Sequence, residues 1–409
     1  MRIRFRAVGL VVLAIFAAAL SCQAGAAAAQ SGRTPLILVS IDGFRADYLD
    51  RGLSPNLSTL AAGGVRAERM IPSFPSITFP NHYTLVTGLY PDHNGIVNNT
   101  FEDAQLPGVF KMSSKEEAWW DEATPIWVTA ERSGLATATM FWPGSEAAIH
   151  GVRPQHWEPF NAAMSGYDRV DKVLGWLDLP PAQRPGFQTL YFDLVDTNGH
   201  IFGPDSPQLN LAIGKVDAAI GRLTDGLKAR GITANLIIVA DHGMAAVAPE
   251  RTIVLDDLID ASAVHIVFDD AVSGIDIPAT PAGRAAQAKL LARHDHMTCW
   301  NKADIPARFH YGTNPRVPDV ICAAEVGWLV ETRESLAKRH FPLRGEHGYD
   351  NQDPRMGALF IANGPAFRKG VVVGPFPNVD VYPLMTRLLG LKAEPNDGKL
   401  ADVAGMLTR

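Results

Sequence analysis

From residue 36 onward the apolar and polar positions follow two alternating rhythms. Short unbroken apolar runs read as strands covered on both faces, and apolar residues spaced by three and four read as helices with one buried side. Leu36–Ile41 is the first such strand. Ser54-Pro55 predicts a helix start, an N-cap followed by proline at the first helical position, and Gly63 closes that helix. Residues 78–87 predict a second helix before Gly88, and 124–133 a third, stopped by Gly134. Residues 135–141 and 188–195 are further strands. Leu209, Ile213, Val216, Ile220, Leu223 and Leu227 mark one face of a long amphipathic helix that ends near Gly231, and 235–240 is again a strand. Strands alternating with helices imply an α/β fold: a mostly parallel central sheet with helices on both faces. Functional residues in such sheets gather beyond the C-terminal strand ends.

The rhythm weakens over 245–344, where Pro, Gly and short strand-like runs dominate around one helix candidate at 284–293. This stretch reads as an inserted cover over the site, with 142–167 as a second, smaller cover. A strand at 358–362 and a helix at 379–389 return the chain to the main sheet.

The N-terminus follows a different pattern. Arg2, Arg4 and Arg6 precede an apolar run over 7–20, and Ala26 to Ala29 follow. A basic start, a short apolar middle and an Ala-x-Ala end predict a secretory signal peptide over 1–29, too short to span a bilayer comfortably. Its removal takes three arginines and no acid, moving the formal charge from −6 to −9. That balance disfavours a broad basic face for nucleic-acid backbone, so no duplex partner is expected. With 47% apolar and 20% charged residues, the composition excludes disordered, collagen-like and disulfide-scaffold classes. Beyond the signal, Cys299 and Cys322 form one disulfide or remain two buried thiols; spacing alone leaves both open.

Candidate chemistry concentrates where strands are expected to end. Asp42 follows the first strand; Asp196 closes the strand that begins near 188, with His200 four residues later; Asp241 and His242 follow the strand at 235–240; and His347 lies in Gly345-Glu-His-Gly348 just before the last sheet segment. Three Asp and three His suit Zn²⁺, which takes carboxylate oxygen and imidazole nitrogen. Six ligands exceed one tetrahedral site with an open position and fit two, about 4 Å apart, able to bind the attacking and leaving oxygens of a phosphoryl displacement. Thr78, placed at a helix start whose free N–H groups favour an anionic phosphate, is the candidate nucleophile. Asn99 could donate its amide to a phosphoryl oxygen as charge develops. Asn98-Asn99-Thr100 also matches a glycan acceptor pattern.

These segments resemble the nucleotide pyrophosphatase/phosphodiesterases of the alkaline phosphatase superfamily, especially compact bacterial secreted members. The resemblance rests on Ser40-Ile-Asp-Gly-Phe-Arg45, Pro75-Ser-Ile-Thr-Phe-Pro-Asn-His82, Asp196-Thr-Asn-Gly-His-Ile-Phe-Gly-Pro204, Asp241-His-Gly-Met244, His347-Gly-Tyr-Asp-Asn351 and Glu394-Pro-Asn-Asp-Gly398. It implies one alkaline-phosphatase-like phosphodiesterase domain over 30–409, interrupted at 142–167 and 245–344. It implies two Zn²⁺, one held by Asp196, His200 and His347, the other by Asp42, Thr78, Asp241 and His242. Thr78 would attack a nucleotide phosphodiester or pyrophosphate. A phosphothreonine would form, and a zinc-activated water would release a nucleoside monophosphate. Asn99 would bind a non-bridging oxygen, and Phe79 and Phe160 would stack on the base, Phe160 standing where relatives often carry tyrosine. His82, one turn after Thr78, would support it. The alternatives are the same chemistry on glycerophosphodiester or lysophospholipid head groups, and a phosphate monoesterase of the same superfamily. The expected location is periplasmic or secreted, with no membrane span in the mature chain.

Overall fold

The computed structural model describes residues 34–339 and 341–408. The expected signal peptide lies outside them. Among the described residues no helix is long and apolar enough to cross a membrane.

The first half of the chain runs as β1 (Leu36–Ile41), α1 (Pro55–Ala62), β2 (Val65–Ala67), α2 (Thr78–Thr87), α3 (Ile126–Arg132), β3 (Thr137–Met140) and β4 (His156–Glu158). It continues through α4 (Gly166–Leu177), β5 (Phe187–Phe192), α5 (Leu194–Phe202), α6 (Pro207–Ala229) and β6 (Asn235–Val239). After β7 (Ala245–Ala246) come β8 (His265–Phe268), β9 (Val272–Asp276), α7 (Pro281–Leu290), β10 (Met297–Asn301) and β11 (Val320–Ala324). The chain then returns through β12 (Gly345–Glu346), β13 (Phe360–Asn363), β14 (Val371–Val373) and α8 (Val381–Leu389).

One eight-stranded sheet, ordered β14-β2-β13-β6-β1-β5-β3-β4, forms the centre. Every residue of β1, β5 and β6 is buried, as unbroken apolar runs demand when helices cover both faces. The sheet is mixed at one point: β13 runs antiparallel to both β6 and β2. Parallel register aligns the ends that matter. Ile41 of β1 pairs with Phe192 of β5, and Ser40 pairs with Val239 of β6. Asp42 and Asp241 therefore leave the sheet at one edge, side by side.

The strand expected over 188–195 stops at Phe192. Leu194 and Val195 extend its apolar run, but they open α5, which carries Asp196 and His200 one turn apart. The helix expected at 284–293 starts earlier, at Pro281, because the Thr280 side chain accepts the Gly283 N–H at 3.0 Å. Residues 142–167 supply the edge strand β4 as well as part of the wall described below. The 245–344 stretch holds a separate four-stranded antiparallel sheet, β8-β9-β11-β10. Within it a disulfide joins Cys299 and Cys322, directly opposite each other on β10 and β11.

Ser54 makes no side-chain cap for α1. Its place is taken by Asp217, buried on α6, whose carboxylate accepts the N–H of Leu57 at 2.8 Å and of Asn56 at 3.1 Å. Asp217→Ala leaves the buried Leu57 N–H and the half-buried Asn56 N–H without this partner, and the expected loss is about 2 kcal/mol of folding stability. A fall in the denaturant midpoint with the metal content unchanged checks this.

Candidate active site

Thr78 is the first residue of α2, reached from Ile77 in extended conformation. Its hydroxyl lies 3.2 Å from His242 Nε2. Around it stand side chains delivered by the first turns beyond β1, β5 and β6 and by the residue that follows β12. Two groups of donors emerge. In the first, Asp196 Oδ2 lies 3.3 Å from His200 Nε2, His347 Nε2 lies 3.2 Å from His200 Nε2, and Asp196 Oδ1 lies 3.7 Å from His347 Nε2. In the second, His242 Nε2 lies 3.0 Å from Asp241 Oδ2 and 3.5 Å from Asp42 Oδ1. The groups adjoin, since the His242 and His347 rings stack with centroids 3.6 Å apart.

The hydrogen bonds show what these donors are prepared for. His200 Nδ1 donates to Gly345 O at 3.0 Å, His242 Nδ1 to Gly243 O at 2.9 Å, and His347 Nδ1 to Ser76 O at 3.0 Å. Those bonds favour the tautomer that leaves each Nε2 lone pair facing the cluster. The carboxylates are arranged in the same way. The Tyr191 hydroxyl donates to Asp42 Oδ2 at 2.5 Å and the Gly43 N–H to Asp241 Oδ1 at 3.1 Å. Asp42 Oδ1, Asp241 Oδ2 and Asp196 Oδ1 are buried and accept no hydrogen bond among the described residues. Bare carboxylate oxygens and aimed imidazole nitrogens in one buried spot form a donor set suited to divalent cations.

The electrostatics carry the same demand for positive charge. Burial, then the neighbouring Asp241 and Asp196 carboxylates, push Asp42 well above the usual carboxylate range. Burial acts in the same direction on Asp196 and Asp241, but their histidine neighbours outweigh it, bringing Asp196 to about 2 and Asp241 well below its ordinary value. Burial opposes protonation of His200 and His242, yet the adjacent carboxylates raise both. Burial and the positive His242 take His347 down to about 4.

The groups open on a cavity of about 500 Å³. Thr78, Phe79, Asn99, Phe160, Trp142 and Tyr191 are among its walls. Asn99 Oδ1 accepts the Phe79 N–H at 2.8 Å, which leaves its amide NH₂ as the group free to donate. Phe79 packs edge-on against Phe110 and tilted against Trp120, while Phe160 is 52% exposed with its ring 5.2 Å from Phe141. His82 lies beside the cluster, with Nδ1 3.3 Å from Asp241 Oδ2. Its Nδ1 bonds to Thr78 O at 2.9 Å and its Nε2 to Ser40 Oγ at 2.8 Å, so it braces the first turn of α2. Asn98 is buried and its side chain accepts the N–H of Asn99, so this stretch presents no glycan acceptor. His294 and His296 bond elsewhere, to Lys289 O and to the Glu325 carboxylate, and His310 stacks on Tyr90.

Sequence reasoning missed two residues at the site. Tyr191 reads as strand core, yet its register opposite Ser40 delivers its hydroxyl to Asp42. Glu346 reads as a loop acid, yet it is buried, with Oε2 3.2 Å from His200 Nδ1.

The family profile described as type I phosphodiesterase/nucleotide pyrophosphatase matches residues 36–350. The chain belongs to that family. It is an enzyme of the phosphodiesterase/nucleotide pyrophosphatase class with the alkaline-phosphatase-like α/β fold. It is 42% identical over 382 residues to an uncharacterized pyrophosphatase/phosphodiesterase of Schizosaccharomyces pombe, covering 90% of this chain and 79% of that one. It is 38% identical to a bis(5'-adenosyl)-triphosphatase of Xenopus laevis, covering 92% of this chain and 82% of the relative. A venom phosphodiesterase of Naja atra is 39% identical, and there the match spans 90% of this chain but 45% of the venom protein. Among solved structures, human ectonucleotide pyrophosphatase/phosphodiesterase 5 superposes with a TM-score of 0.87 at 35% identity, covering 92% of this chain and all of the other. The murine counterpart, in an inactive threonine-to-alanine form in complex with AMP, matches equally well.

Proposed function

We propose that this family member is an exported dizinc phosphodiesterase/pyrophosphatase that cleaves nucleotide phosphodiester or pyrophosphate bonds and releases nucleoside monophosphates through a phosphothreonine. The observation that carries the reading is the Thr78 hydroxyl, 3.2 Å from His242 Nε2 at the mouth of two adjoining donor groups. Asp196, His200 and His347 would hold one ion, and Asp42, Asp241, His242 and Thr78 the other. When bound, two divalent ions supply Lewis acidity, which lowers the cost of ionising a hydroxyl and of placing a phosphoryl anion among buried carboxylates.

The remaining steps belong to the chain. Thr78 Oγ1 forms a bond to phosphorus while the bond to the departing alcohol or phosphate breaks opposite it. The start of α2 offers backbone N–H groups to the phosphoryl oxygens, and the Asn99 amide, oriented by the Phe79 N–H, donates to one of them as negative charge grows. Water then attacks the same phosphorus, restoring Thr78 and freeing the monophosphate. Phe79 and Phe160 border the cavity as stacking surfaces for a base, and the relative in complex with AMP supports a nucleotide as the ligand. Export is supported by the basic-then-apolar start of the chain and by the Cys299–Cys322 disulfide, which suits an oxidising compartment.

A kinetic comparison tests the reading. Against the p-nitrophenyl ester of thymidine monophosphate, bis(p-nitrophenyl) phosphate and p-nitrophenyl phosphate, the nucleotide diester should give the highest kcat/KM. Stacking of one base, worth about 1–3 kcal/mol, predicts roughly 5- to 150-fold over the base-free diester. Preference for the monoester would contradict the proposed reaction. Preference for glycerophosphocholine over the nucleotide would move the substrate to lipid head groups.

A further inference from the structure

We propose that Glu346 is a positioning residue that orients His200 and balances the charge of the ion assigned to Asp196, His200 and His347; the proposal rests on the two-ion reading above. The two donor groups are unequal on their own. As assigned above, one site has two carboxylates, Asp42 and Asp241, and the other only Asp196, with Glu346 close beside His200 and His347. A dication in a buried site is costly to hold against a single negative charge. Glu346 supplies the second. It is 4% exposed, and its Oε2 sits 3.2 Å from His200 Nδ1, on the far side of the ring from Asp196. Its Oε1 accepts the backbone N–H of His347 at 2.9 Å. Oε2 is thus turned to the Nδ1 side of His200, while Oε1, bonded to the His347 N–H, lies 3.6 Å from His347 Nε2, so the carboxylate backs the His200 ring and adds its charge at the edge of this group.

The backbone sets this position. Gly345 and Glu346 pair with Ala246 and Ala245, just beyond Asp241 and His242. Gly345 packs so close to α5 that a Cβ there would come within 2.4 Å of Gly199 O. The strand that carries Glu346 is therefore pressed against the helix that carries His200. A carboxylate behind a ligating imidazole fixes its tautomer and raises its basicity, and loss of such a partner typically costs 10- to 100-fold in metal affinity.

The test is zinc retention by the full-length protein. Wild type and Glu346→Gln are equilibrated across a series of chelator-buffered free zinc concentrations, and bound zinc per chain is counted by elemental analysis. The proposal predicts two ions in wild type. In E346Q one ion should be released at about 10- to 100-fold higher free zinc. The second ion should follow the wild-type curve, and Tm at saturating zinc should match wild type. Should E346Q fail to fold, E346D, which keeps the charge but withdraws it from His200, should shift one ion in the same direction. Two ions in wild type with an unshifted variant curve would overturn the Glu346 assignment alone. Equal weakening of both ions with a lowered Tm at saturating zinc would also overturn it, as a merely structural role. A wild-type protein without zinc would overturn the two-ion reading and this proposal with it.

Discussion

Turnover of a Thr78→Ala variant is expected to fall by about four orders of magnitude while its bound metal stays at the wild-type level. The two halves of that result come from different features. Thr78 supplies the only protein atom in the proposed scheme that bonds to phosphorus, and alanine has none to offer. The carboxylate and imidazole donors, in contrast, are held by partners that do not involve the threonine side chain: Tyr191 for Asp42, the Gly43 N–H for Asp241, and carbonyls for all three rings. The variant loses one hydroxyl contact to His242, so its Tm should change little. Thr78→Ser keeps the oxygen and should retain far more activity than alanine. Measuring kcat and zinc content on the same preparations checks both halves. Near-normal turnover in the alanine variant would remove Thr78 as nucleophile, and parallel loss of metal would recast it as a structural ligand.

Exhaustive chelation is expected to abolish activity and also to lower Tm, with both restored by Zn²⁺. The activity loss follows from the proposed use of Lewis acidity. The stability loss follows from burial: Asp42, Asp196 and Asp241 each carry a buried oxygen that accepts no hydrogen bond among the described residues. An ion present at 1,000 times its dissociation constant contributes about 4 kcal/mol to folding. For two such ions the expected fall in Tm is roughly 10 °C or more. Differential scanning calorimetry with and without chelator, paired with initial rates, measures both. A protein that loses activity but not stability would show that its carboxylates are satisfied by other means.

The three aspartates, His200 and His242 were legible in the sequence because each lies in a short polar break after an apolar run, and register then gathers them, while His347 joins them from just past β12, outside the central sheet. β1 pairs in register with β5 and β6, so residues a few positions past each strand end must meet at one edge. Features that depend on distant contacts were not legible. Tyr191 looks like any buried strand aromatic until its pairing with Ser40 is known. Glu346 becomes significant only when β12 meets α5. Asp217 caps a helix 160 residues earlier, where Ser54-Pro55 had suggested a local cap. The antiparallel direction of β13 depends on how the chain crosses the sheet, which apolar periodicity does not encode. The start of α5 was hidden for a local reason, since Leu194 and Val195 prolong the apolar run of β5 beyond the sheet.

The most direct test is the number of metal ions in purified, active protein, counted by elemental analysis against protein concentration. The account predicts two divalent ions per chain, with activity rising and falling in step with their number. Fully active protein with no bound divalent ion would contradict it.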